Sequence, residues 1–88
     1  MDTDTFRKRL RADLGEAAAR GATYLDVNSG DLHRRVGGYP GKDHKMPSCC
    51  QAMYAEQRGH DRVLNAPPKG KGASLTIRYQ LPRLGAET

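Results

Sequence analysis

The residues of the sequence that could act as nucleophiles or zinc ligands are two cysteines and three histidines. Cys49 and Cys50 are adjacent, and the histidines are His33, His44 and His60. This spacing lacks the paired C-x2-C and H-x3-H pattern typical of zinc sites, and adjacent cysteines rarely form a disulfide with each other. Neither cysteine has a histidine clearly placed to activate it. We therefore expect reduced, structural cysteines, no catalytic residue, no metal and no cofactor.

Two basic segments are suited to binding phosphate groups. Lys69 and Lys71 alternate with glycines, which let backbone N–H groups approach an anion while the lysines supply charge. Lys42, His44 and Lys45 lie earlier in the chain, in a separate glycine-rich stretch whose length is unusual for the turn of a helix-turn-helix. The alternative for the first pair is a solvated hairpin tip, where lysines prevent edge-to-edge aggregation.

A small, polar helix face lies between these basic segments. A helix beginning at Met46 would carry Ser48, Gln51, Ala52 and Ala55 on its outer side. Small side chains let a helix approach DNA closely, and the Gln51 amide matches adenine through two hydrogen bonds. The alternative is an ordinary solvated helix surface.

The overall charge favours an anionic partner. Lys and Arg total 15 against 10 acidic residues, giving a formal net charge of +5 on 88 residues. Nucleic acid is the first such partner and an anionic membrane surface the second, the alternative being a basic protein without one. No apolar run approaches a bilayer-spanning length, and the polar start predicts no signal peptide. We expect a cytoplasmic protein that is not bound to a membrane.

Hydrophobic periodicity predicts the elements that would position these residues. Helices are expected at residues 6–20, 29–36 and from 46 to just before Gly59, and strands at 23–27, 61–65 and 73–81. In the last strand Leu75, Ile77, Tyr79 and Leu81 should face inward, and Arg78 outward. We expect residues 1–5 to be a flexible N-terminus, 6–82 a single domain and 83–88 a flexible tail.

The predicted order is helix, strand, helix, helix, strand, basic turn, strand. This order predicts an α+β fold of the winged helix-turn-helix type, with three helices, a small antiparallel sheet and the basic turn as the wing. One core is expected to contain Leu10, Leu14, Leu25, Val27, Leu32, Val36, Cys50, Met53, Leu75, Ile77 and Tyr79. Other small α+β arrangements share the order.

Three sequence stretches carry a resemblance to a known group of proteins. They are LHRRVGGYPG at residues 32–41, MPSCC at 46–50 and APPKGKGASLTIRY at 66–79. The chain resembles a family of small uncharacterised bacterial proteins. The resemblance implies a bacterial source and brings no functional residues with it, whereas the element order independently resembles winged-helix transcription regulators.

These observations predict a protein that binds nucleic acid, with double-stranded DNA as the expected partner, and is not an enzyme. The predicted contact residues are Lys42, His44, Lys45, Ser48, Gln51, Lys69, Lys71 and Arg78. The alternative is an adaptor that uses the same scaffold to bind a protein partner, and the sequence is also compatible with RNA binding or a homodimer. Basic side chains lining one face together with the third helix would favour DNA, whereas an exposed apolar patch would favour the adaptor.

Overall fold

The fold is α+β, with three helices and a three-stranded antiparallel open sheet in the part of the chain that the structure describes. The structure is a computed structural model and describes residues 3–37 and 45–83. The elements in chain order are α1 (Thr3–Ala19), β1 (Tyr24–Asn28), α2 (Ser29–Val36), α3 (Met46–Glu56), β2 (Arg62–Asn65) and β3 (Thr76–Gln80). Every predicted helix and strand is present, in the predicted order.

Helix α1 forms because its apolar residues recur at helical spacing. Phe6, Leu10, Leu14 and Ala17 are all buried. The helix begins at Thr3, three residues before the predicted start, so residues 3–5 belong to α1 and not to a flexible terminus.

None of the helices in residues 3–37 and 45–83 is long and apolar enough to cross a bilayer.

Asn28 joins β1 to α2 and caps that helix. Its side-chain oxygen accepts a hydrogen bond from the Asp31 backbone N–H at 3.1 Å. Its amide nitrogen donates to the Ala73 carbonyl at 3.1 Å and to the Thr76 hydroxyl at 3.2 Å. One side chain therefore connects the start of α2 to the segment that leads into β3.

The sheet has the strand order β1-β3-β2, with β3 in the centre. Val27 of β1 and Val63 of β2 both lie opposite Ile77, and the β2 register is irregular between Val63 and Asn65. Ile77 and Tyr79 are fully buried, as their alternation predicts. The Tyr79 hydroxyl donates to the Met53 carbonyl at 2.7 Å, which joins the centre of the sheet to α3.

The core lies between the sheet and the helices, and the burial of Leu25, Val36 and Ala52 differs from what we predicted for them. Leu25 and Val36 are only partly buried; Leu25 lies one residue after the start of β1, and Val36 ends α2. Ala52, which we expected on the outer face of α3, is fully buried. The reason is that α3 packs against both α1 and α2, so its buried surface is wider than a single apolar stripe.

Candidate functional site

The exposed side of α3 is a narrow, uncharged row of three residues. Pro47, Gln51 and Ala55 are exposed and lie at i, i+4 and i+8, so they follow one line along the helix. Ser48 is half-buried beside this line. We call Pro47, Gln51 and Ala55 the α3 stripe. With a rise of about 1.5 Å per residue, the stripe is about 12 Å long.

The connection between β2 and β3 is hydrogen-bonded along α3. We call this connection, residues 66–75, the basic loop. The Tyr54 hydroxyl donates to the Gly70 carbonyl at 2.6 Å, and the Gly72 N–H donates to the Cys50 sulfur at 3.2 Å. Because Cys50 precedes Tyr54 by one helical turn, the loop runs antiparallel to α3. Lys71 therefore lies between two attachments to the helix.

The turn at the tip of the basic loop depends on Gly70. Its N–H donates to the Pro67 carbonyl at 2.8 Å, and its φ of +83° lies in the left-handed region that favours glycine. Lys69 and Lys71 flank this glycine, and both are exposed. The turn thus presents two cations beside the α3 stripe.

The start of α2 holds the other end of the basic loop. The Ser29 hydroxyl donates to the Gly72 carbonyl, and the Gly30 N–H donates to the Ala73 carbonyl at 3.2 Å. A Cβ atom on Gly30 would lie 3.1 Å from the Ala73 oxygen, which is tighter than most real contacts. A glycine at this position therefore allows the loop to approach α2 closely.

His33 holds Lys45 at the start of α3. The Lys45 N–H donates to Nε2 of His33 at 2.8 Å, and the Gly37 N–H donates to the His33 carbonyl at 2.8 Å. The imidazole is fully buried and packs edge-on against Phe6, with ring centroids 4.8 Å apart. His33 thus holds both residues that flank segment 38–44.

Most arginines of the described residues are neutralised by acids. Arg7 and Arg11 both contact Glu56, at 2.8 and 2.9 Å. Burial acts to raise the pKa of Glu56, but the hydrogen bonds from Arg11 and Arg7 outweigh it and hold the pKa below its ordinary value. The other ion pairs are Arg9–Asp13, Arg20–Glu16, Arg34–Asp31, Arg35–Asp13, Arg78–Asp26 and Arg83–Asp61.

The lysines around α3 differ from these arginines. Lys45, Lys69 and Lys71 are exposed and form no ion pair within residues 3–37 and 45–83. One lies at the start of α3, and two lie in the loop that is hydrogen-bonded to it. The uncompensated charge of this part of the molecule therefore borders the α3 stripe.

Arg78, the predicted contact residue on β3, is engaged elsewhere. Its guanidinium forms two hydrogen bonds to the Asp26 carboxylate, at 2.7 and 3.0 Å, and lies 4.3 Å from the centre of the Tyr24 ring. The hydrogen bonds from Arg78 lower the pKa of Asp26, so this carboxylate is ionised at neutral pH. Arg78 is thus a paired residue of the sheet surface and does not belong with the three unpaired lysines.

The remaining predicted contacts are divided between described and undescribed parts of the chain. Ser48 and Gln51 lie on α3, at the edge and in the middle of its exposed side. Lys42 and His44 lie outside the described residues. The structure therefore brings together Lys45, Ser48, Gln51, Lys69 and Lys71 of the eight predicted residues.

The two cysteines are buried free thiols. Burial, with a smaller contribution from the neighbouring Cys50, raises the pKa of the Cys49 thiol to about 12. The Cys49 sulfur is 3.5 Å from the Ser29 carbonyl, to which it donates. Among the described residues, no group of three His, Cys, Asp or Glu side chains is arranged to hold a metal ion. Around α3 these thiols contribute packing and hydrogen bonds.

Tyr54 and His33 are the site residues that sequence reasoning missed. Tyr54 fixes the basic loop and His33 fixes Lys45 through these hydrogen bonds. Their partners are 16 and 12 residues away along the chain, so no local pattern connects them. His33 lies in the last turn of α2 and Tyr54 lies within α3, and no sequence signal marked either contact.

No protein-family model, no curated protein and no solved structure matches the chain. Its function has to be inferred from the geometry and charge of the site.

Proposed function

We propose that the protein is a winged-helix protein that binds double-stranded DNA. In this proposal α3 enters the major groove and the basic loop is the wing, which contacts the phosphate backbone beside it. The order of the elements and the strand order β1-β3-β2 support the winged-helix assignment. Neither feature alone identifies a ligand, because one fold serves many functions.

The observation that carries the proposal is the pairing of an uncharged helix face with unpaired lysines on its borders. The major groove is about 12 Å wide and accepts an α-helix, provided that the side chains facing it are small. Ala55 has a small side chain, and Gln51, exposed in the middle of α3, is uncharged and carries an amide that can hydrogen-bond to base edges. The phosphates lie on either side of the groove, where Lys45 and the lysines of the basic loop would meet them.

Duplex DNA fits this surface better than duplex RNA. The major groove of A-form RNA is deep and narrow, so a helix cannot reach its base edges. Sequence-specific RNA binding commonly uses exposed aromatic side chains as stacking platforms. Tyr54, the aromatic residue of α3, donates its hydroxyl to Gly70 and is partly buried.

The test is a titration of the protein into a fluorescently labelled random-sequence duplex of 20 base pairs at low salt. The proposal predicts saturable binding that weakens as salt is added, and weaker binding to the RNA duplex of the same length. Absence of binding to the DNA duplex at low salt would overturn the proposal. Tighter binding to the RNA duplex would overturn the assignment of DNA.

The adaptor remains a second candidate because two large apolar side chains are exposed. Tyr24 on β1 is 48% exposed and Leu64 on β2 is 43% exposed. They lie on the two outer strands of the described sheet with β3 between them, so they do not adjoin as strand neighbours. Replacing Leu64 with Ser should leave duplex binding unchanged if DNA is the partner. A homodimer stays a prediction that sedimentation would test.

A further inference from the structure

The chemistry of the α3 stripe restricts which base pairs it could read. The stripe is about 12 Å long, and successive base pairs are about 3.4 Å apart, so it would span about three to four base pairs. Its residues are one amide, Gln51, between two apolar groups, Pro47 and Ala55. The Gln51 side chain makes no hydrogen bond within residues 3–37 and 45–83, which leaves its donor and its acceptor available.

The stripe lacks the groups that recognise G·C pairs. Guanine is read mainly by Arg or Lys through its two acceptors, and cytosine by Asp or Glu through its amino group. Glu56, the acid of α3, is buried in its ion pairs with Arg7 and Arg11. Arg58 follows the helix, but it borders a concavity with Arg11 on the α1 side of the molecule. The α3 stripe itself therefore contains neither the basic side chain that reads guanine nor the acidic side chain that reads cytosine.

We infer that the protein prefers duplex sites with consecutive A·T pairs, and that Gln51 and Ala55 determine this preference. The inference rests on the proposed DNA binding. The Gln51 amide would donate to N7 and accept from the N6 amino group of one adenine. The Ala55 methyl group and the Pro47 ring would contact thymine C5-methyl groups on either side, since apolar groups on a recognition helix pack against this methyl.

The first experiment selects bound sequences from a random 20-base-pair library and measures affinity for the enriched duplex and for its deoxyuridine counterpart. Uracil differs from thymine only in lacking the methyl group, so this comparison tests the methyl contact without any substitution in the protein. Enrichment of A·T pairs and about fourfold weaker binding per contacted methyl support the inference. Binding without A·T enrichment, or with no effect of uracil, overturns it and leaves the proposed function standing. No binding to any duplex overturns both.

The second experiment changes the reading residue itself. Glutamate accepts from cytosine, so Gln51→Glu should move the preference at one position of the site from adenine to cytosine. Affinity for the original site should fall by about 5- to 150-fold, the effect of one bidentate contact. Gln80→Glu is the matched control, because Gln80 is exposed at the end of β3 farthest from the basic loop. An unchanged preference in Gln51→Glu, or the same change in the control, overturns the inference.

Discussion

Neutralising the two lysines of the basic loop should change how DNA binding depends on salt. Each lysine that contacts a phosphate releases condensed counterions, which contributes about −0.9 to the slope of log K against log salt. Lys45, Lys69 and Lys71 are the unpaired cations bordering the α3 stripe, so the slope expected from the described residues is about −3. The double variant Lys69→Gln/Lys71→Gln should have a slope near −1.

The difference is large enough to measure by fluorescence anisotropy. Between 50 and 150 mM salt, a slope of about −3 weakens binding roughly 20-fold, whereas a slope near −1 weakens it only about threefold. The matched control is Lys8→Gln/Arg62→Gln, which removes the same charge from exposed residues of α1 and β2 that lie outside the basic loop. The control should retain the steep slope.

Two results would refute this reasoning. If the double variant and the control flatten the slope equally, attraction comes from the net charge of the molecule and not from a site at α3. If the double variant binds as the unmodified protein does at every salt concentration, the basic loop does not contact phosphate. In that case the adaptor becomes the leading candidate.

Three further predictions test the supports of the site. Tyr54→Phe removes the hydroxyl that donates to the Gly70 carbonyl, so the free energy of unfolding measured by chemical denaturation should fall by about 0.5–1.5 kcal/mol. The variant should also bind the duplex more weakly although the net charge is unchanged. Equal affinity would contradict a role of this hydrogen bond in positioning the basic loop. Glu56 has a folded pKa below its ordinary 4.5, so its stabilising effect is present at neutral pH and is lost as the pH falls through the lowered pKa. Glu56→Gln should therefore lower the free energy of unfolding by about 1–2 kcal/mol at neutral pH, a value limited by the exposure of Arg11. The stability of the variant should also depend less steeply on pH in the acid range. A loss of stability that stays the same in acid would contradict this. Cys49, buried and with its pKa raised to about 12, should react with iodoacetamide only as fast as the protein opens, and rapid labelling of the native protein would contradict that burial.

The elements of this fold could be predicted because each has a local cause. Phe6, Leu10 and Leu14 repeat at helical spacing, and β3 alternates between buried and exposed side chains. Asn28 is a helix-capping residue whose amide oxygen has its partner three residues away. The prediction that Ala52 lies on the exposed side of α3 was wrong. Its burial depends on how many elements pack around α3, and no local sequence pattern records that.

The site could be predicted only in part. Lysines beside glycines indicated a phosphate-binding turn, and Lys69 and Lys71 do lie in a glycine turn beside α3. In the sequence, Arg78 looked like a cation as free to bind phosphate as Lys69 and Lys71. Its outward direction could be predicted from the strand alternation, but its ion pair with Asp26 on a neighbouring strand could not. The attachment of Tyr54 to Gly70 likewise arises from packing.

The most direct test of the central claim is a nuclear magnetic resonance titration of the isotope-labelled protein with the enriched duplex. Amide signals of Gln51, Ala55, Gly70 and Lys71 should shift first and furthest, because α3 and the basic loop form the contact surface in our proposal. Shifts concentrated around the exposed Leu64, with α3 and the basic loop unchanged, would contradict it.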